Sequence, residues 1–120
     1  MYSIEFYENE RGESDVKDYI RELKKKAENN KDARINLNKI VAYIDALEEL
    51  GTRVGEPVTK HLDGDIWELR PLSNRILYAY YKDNIFILLH HFLKKSRKTP
   101  PGEIEKAKTE IDDYKRRHGV

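Results

Sequence analysis

The sequence predicts an α+β domain whose elements run βααβββα. Three observations carry that prediction. Apolar and polar residues alternate from Tyr2 to Glu8, two following segments place apolar residues at helical spacing, and from Ile66 the composition turns to β-branched and aromatic residues in three short runs. A chain of 120 residues is long enough for one hydrophobic core and too short for two, so a single domain over residues 1–120 is expected.

The first strand puts Tyr2, Ile4 and Phe6 on one side and Ser3, Glu5 and Tyr7 on the other. Ser14 suits the N-cap of a helix with apolar positions Val16, Tyr19, Ile20, Leu23 and Ala27. Acids open that helix and Lys24, Lys25 and Lys26 close it, as the helix dipole favours. The Asn29-Asn30 pair breaks it. A second helix from near Asp32 carries Leu37, Ile40, Val41, Ile44, Leu47 and Leu50 on one stripe and ends at Gly51, so the two helices form an antiparallel hairpin. After a loop containing Gly51, Gly55 and Pro57, strands are expected at 66–70, 75–81 and 85–92. Their connections, Pro71-Leu72-Ser73-Asn74 and Asp83-Asn84, are turn formers, which predicts an antiparallel meander packed on the helical hairpin. Thr99-Pro100-Pro101-Gly102 then opens a C-terminal helix with Ile104, Ala107, Ile111 and Tyr114 on one face.

Register assigns the faces of this meander. With Arg70 and Arg75 flanking a four-residue loop, Glu68 pairs with Leu77 and Ile66 with Ala79. With Asp83-Asn84 as a two-residue turn, Tyr80 pairs with Ile87, Tyr78 with Leu89, and Leu77 and Arg75 lie beside His90 and Phe92. One face then gathers Glu68, Arg70, Arg75 and His90. The other carries Trp67, Leu69, Ile76, Tyr78, Tyr80, Ile87, Leu89 and His91 as the inner surface for the helical hairpin.

Charge points the same way. The chain has 23 basic and 22 acidic residues, yet between Arg70 and Lys98 the cations Arg70, Arg75, Lys82, Lys94, Lys95, Arg97 and Lys98 meet a single acid, Asp83. Fixed cations around an imidazole suit a phosphodiester, which predicts an RNA-directed function. Metal-independent RNA cleavage, by attack of a 2′-hydroxyl on the adjacent phosphate, needs proton transfer and cations against the developing charge. His90 is the expected acid or base, Arg70 and Arg75 the forked phosphate donors, and Lys94 and Lys95 the groups at the leaving oxygen. Glu68, Lys98 and Arg97 are expected to bind substrate. No cysteine is present, which excludes thiol catalysis and Cys-based zinc sites. Asp63-Gly64-Asp65 reads as a turn, lacking the further oxygens calcium needs. No cofactor or metal is expected. The acidic, alternating start is unlike a signal peptide and no apolar run approaches a membrane span, so a cytoplasmic chain is expected.

Trp67-Glu68-Leu69-Arg70, Asn74-Arg75-Ile76-Leu77-Tyr78-Ala79-Tyr80, Leu88-Leu89-His90-His91-Phe92-Leu93-Lys94-Lys95 and Lys98-Thr99-Pro100, with Glu103, Ile104 and Ala107 beyond, form an ordered set over nearly the whole chain. In that set the chain resembles the RelE/ParE toxin superfamily, and more closely its HigB-like branch with its phage-derived relatives. The resemblance implies a RelE-like fold and the toxin of a type II toxin-antitoxin pair. Such a toxin cleaves mRNA in the ribosomal A site and is held inactive in a heterotetramer or larger complex by a cognate antitoxin, in this branch usually a HigA-like helix-turn-helix protein. Arg75 looks like the family's arginine at the scissile phosphate, Lys94 or Lys95 like its basic residue at the end of the last strand, and Arg70 matches the Leu-Arg of the preceding strand. Tyr114 is the candidate for a C-terminal catalytic tyrosine. Two alternatives stay open: a ParE-type inhibitor of DNA gyrase, and a non-catalytic relative that only binds antitoxin or nucleic acid.

Overall fold

The computed structural model describes residues 1–119. Its elements are β1 (Ser3–Phe6), α1 (Asp15–Ala27), α2 (Lys31–Leu50), β2 (Thr59–Asp63), β3 (Ile66–Leu69), β4 (Asn74–Tyr80), β5 (Ile85–Leu93) and α3 (Pro101–Arg117), with a short 3₁₀ turn at Gly51–Val54. The architecture is α+β and consistent with a RelE-like fold. The strands form one sheet in the order β1-β5-β4-β3-β2. The meander is antiparallel, but β1 joins its far edge parallel to β5, so the sheet is mixed where an antiparallel one was expected.

Local signals set the helices. The Ser14 hydroxyl accepts from the Lys17 N–H and caps α1, and Asn30, the second half of the helix-breaking pair, caps α2 through Ala33. Gly51 ends α2 at φ 65°, ψ −155°, a conformation open essentially only to glycine. A Cβ there would stand 2.7 Å from the Tyr2 ring, and the Tyr2 backbone N–H is tied to the Glu48 carbonyl. Gly51→Ala is therefore expected to destabilise the chain by about 1–3 kcal/mol through backbone strain and displacement of β1, read as a lowered melting temperature.

Strand β2 lies where the sequence predicts a loop. Thr-Lys-His-Leu-Asp has neither the apolar alternation nor the aromatic content of a strand. Pairing creates it: Thr59 is buried, donates to the Glu68 carbonyl at 2.8 Å and shares a hydrogen bond with the Tyr78 hydroxyl at 2.7 Å.

Helices α1 and α2 cover one face of the sheet, over Leu69, Ile76, Tyr78, Phe86 and Leu88. Helix α3 covers the other, packing Ala107, Ile111 and Tyr114 on Ile66, Leu77, Ala79, Ile87 and Leu89. Ile87 and Leu89 thus lie under α3, not under the hairpin as predicted. The cause is a bulge. Ile66↔Ala79, Glu68↔Leu77, Leu77↔His90 and Arg75↔Phe92 pair as the sequence predicts, but nearer the turn the register is displaced by one, with Tyr78↔Leu88 and Tyr80↔Phe86. The extra residue puts neighbouring Leu89 and His90 on the same face. Asp83 and Asn84 both have positive φ, 53° and 61°, as a tight two-residue turn demands.

Candidate functional site

The same register aligns Lys60, Glu68, Leu77 and His90 in one row across β2 to β5, on the face that α3 partly covers. Beyond the edge of α3 the row opens into a groove. At its floor Glu68 is buried, with Oε1 lying 3.5 Å from Arg70 Nε and 3.8 Å from Arg75 Nε, and Oε2 accepting from the Thr99 hydroxyl at 2.5 Å. Arg70 and Arg75 therefore share a face, as their positions flanking one turn imply. Arg75 is only 6% exposed. Its Nη1 donates to the carbonyls of Leu72 and Asn74, both at 2.8 Å, the first offered by a residue held at φ 58°. Burial lowers the Arg75 pKa from its ordinary value, the Glu68 charge opposes that and Arg70 adds to it. Arg70 also reaches Glu56 at 3.7 Å.

The segment after β5 rims the groove. Lys94, Lys95, Arg97 and Lys98 are exposed and line it together with Glu68, Arg75, Phe92, Thr99 and Pro100. A neighbouring lobe of about 210 Å³ continues it past Arg70, Arg97 and Lys98 to Lys60. Among the described residues Lys60, Lys94, Lys95, Arg97 and Lys98 take part in no ion pair, so their charge faces solvent. Among the described residues Glu68 is the only acid lining these two lobes, and it is shared by two arginines.

His90 lies apart from the groove. It is 1% exposed, with Nδ1 2.6 Å from a Glu110 oxygen and Nε2 2.9 Å from Glu103 Oε1, both on α3. Both ring nitrogens are taken up by carboxylates of α3, and neither is open to a substrate. The sequence predicts His90 on the face that meets substrate; α3 closes this end of it. Tyr114 is likewise remote, buried on the inner face of α3 against Tyr81 and stacked on His118 at 3.8 Å.

His91 points to the hairpin side. Its ring stacks on Tyr19 at 3.6 Å and its Nε2 meets Asn74 Oδ1 at 3.0 Å, which also accepts from the Tyr19 hydroxyl; the Asn74 amide donates to Asn36 and to the Pro71 carbonyl. This network fixes the loop that ends at Arg75. Burial is the main cause lowering the His91 pKa to about 4, with Asp15 opposing and His90 adding. The unfolded chain then binds a proton that the folded chain does not between about pH 6.5 and pH 4. Stability from this group is complete above pH 6.5 and falls as the solution is acidified through that window. The slope is at most about 1.4 kcal/mol per pH unit, the limit for one proton, and is reduced by partial solvent screening. Urea midpoints at pH 7 and pH 5 should show the loss, and His91→Gln, which keeps a donor for Asn74 and cannot titrate, should flatten it.

Lys60 and Glu110 escaped the sequence reading, and Thr99 and Glu103 entered it only as members of the set that carries the resemblance, with no role in the site. Lys60 was hidden with its strand. Glu103 and Glu110 carried a readable signal: with Ala107 they follow helical spacing and share the apolar stripe's side, where acids need a buried partner.

A model of the family described as phage derived protein Gp49-like (DUF891) matches residues 18–112. The chain belongs to the Gp49-like family. That family lies within the RelE/HigB-like toxin superfamily, and the matched span runs from α1 into α3 and takes in every residue of the groove. Membership associates this Gp49-like chain with the toxins of toxin-antitoxin pairs and with an antitoxin partner. No curated protein matches the chain. No helix among the described residues is long and apolar enough to cross a membrane.

Proposed function

We propose that this Gp49-like chain is a HigB-type toxin that cleaves mRNA on the ribosome. The observation that supports it most is the groove floor, where one buried carboxylate holds two arginines beneath a rim of four unpaired cations. In the proposed reaction the 2′-hydroxyl oxygen attacks the adjacent phosphorus as its proton passes to water, the bond to the 5′-oxygen breaks as that oxygen takes a proton from Lys94 or Lys95, and a 2′,3′-cyclic phosphate and a 5′-hydroxyl result. Arg75, with Nη2 uncommitted to any protein acceptor among the described residues, and Arg70 take the non-bridging oxygens, whose negative charge grows in the transition state. Lys94 and Lys95 meet the leaving oxygen, and Arg97, Lys98 and Lys60 hold the flanking backbone. Glu68 aligns the arginines. His90 braces α3 and is not the general base. Preorganised cations in a partly buried groove act without reorganising at the moment of reaction, so the enhancement is mainly electrostatic. The partner is a helix-turn-helix antitoxin in a heterotetramer or larger assembly, and the site of action is the cytoplasm.

The test is induction of the chain in a bacterium, with 5′-end mapping of an abundant transcript while translation runs and while it is blocked. Growth arrest with cuts that depend on translation is the expected result. Arrest with intact transcripts and inhibited gyrase would replace the nuclease reading by the gyrase one, and unaffected growth would leave a binding protein.

A further inference from the structure

Beside the cationic groove lies a second cleft of about 600 Å³, lined by His91, Phe92, Leu93, Lys95, Pro100 and Glu103. Phe92, Lys95 and Pro100 line both, so the two adjoin. The cleft differs in chemistry from the groove. Leu93 is 53% exposed and Phe92 half-buried, giving apolar walls instead of a ring of cations. One carboxylate joins them. Glu103 Oε1 is fixed by the buried His90, while its Oε2 makes no hydrogen bond among the described residues.

We propose that this cleft is a nucleobase subsite selective for guanine, placed next to the phosphate that the Arg75 groove binds; the RNA part of this proposal rests on the function proposed above. Apolar walls accept the face of any base, and Lys95 at the junction meets the phosphate that follows it. The carboxylate supplies the selection, because it accepts hydrogen bonds and cannot donate them. Among RNA bases guanine alone offers two adjacent N–H donors on one edge. Adenine and cytosine set an amine beside an acceptor nitrogen, and uracil sets one N–H between two carbonyls, so each leaves a carboxylate oxygen facing an acceptor. His90 here is a positioning residue, holding Glu103 at the cleft without touching the base.

Titration of the ¹⁵N-labelled chain with GMP, AMP, CMP, UMP and inorganic phosphate, followed by amide shifts, tests this directly. GMP is expected to shift Phe92, Leu93 and Glu103 and to bind about tenfold more tightly than UMP, while phosphate alone shifts Arg70, Arg75 and residues 94–98 and leaves Leu93 and Glu103 unmoved. Glu103→Gln keeps an oxygen for His90 but replaces one acceptor by a donor, so the preference should pass from GMP to AMP and CMP. Leu93→Ser, at an exposed position, should weaken all four nucleotides alike and leave the fold intact. Nucleotides that leave Phe92, Leu93 and Glu103 unmoved, equal binding of all four, or an unchanged order in Glu103→Gln would overturn the proposal. GMP bound in this cleft by a chain that cuts no transcript would remove the nuclease reading and leave the subsite; cutting without GMP shifts at these residues would do the reverse.

Discussion

Arg75→Ala is expected to lower the cleavage rate by about 10²–10³-fold, the scale on which loss of one preorganised donor to a developing oxyanion acts. The variant will also lose stability, because Glu68 and the Leu72 and Asn74 carbonyls each lose a partner; about 1–3 kcal/mol is expected. Arg75→Lys separates the two effects. A lysine keeps the charge opposite Glu68 but offers no fork to two phosphate oxygens, so the melting temperature should recover more than the cleavage rate does. Primer extension on a translated transcript, beside a thermal melt of each variant, reads both quantities. A fully active Arg75→Ala would remove the groove from the chemistry.

His90→Ala should instead act on folding. Removing the imidazole leaves the carboxylates of Glu103 and Glu110 without their shared partner, with the Glu110 side chain only 12% exposed. Breaking a buried pair on one side typically costs about 3–5 kcal/mol, which in a domain of this size lowers the melting temperature by roughly 10–20 °C. The double replacement His90→Leu with Glu110→Leu exchanges the closest contact of the cluster for apolar packing against Leu89 and Ala107, and should recover much of that loss. A His90→Ala chain that melts like the wild type yet cuts nothing would return the histidine to the catalytic role read from the sequence.

How much could be read in advance depended on which interactions were local. The helices were legible because caps, periodicity and terminators act within a few residues: Ser14, Asn30 and Gly51 do at those positions what their side chains favour. The pairing of β3 with β4 was legible because a short turn fixes it, and with it the meeting of Arg70, Arg75 and Glu68. Strand β2 was not, since Thr59 becomes a strand residue only through Glu68 and Tyr78, nine and nineteen positions away. Nor was the bulge at Leu89, where one extra residue reversed the facing of Ile87 and Leu89. The largest difference concerns α3. Its apolar stripe was visible, but its place on the Glu68 and His90 face was not, and that placement turns His90 from an exposed group into a buried brace.

The most direct measurement of the central claim is end-group analysis of a defined mRNA incubated with programmed ribosomes and the purified chain, wild type beside Arg75→Lys. Cuts confined to the codon in the ribosomal A site, leaving a 2′,3′-cyclic phosphate upstream and a 5′-hydroxyl downstream, and strongly reduced by the lysine, are the expected result. Intact mRNA, or products with a 5′-phosphate that the Arg75→Lys chain forms equally well, would contradict it.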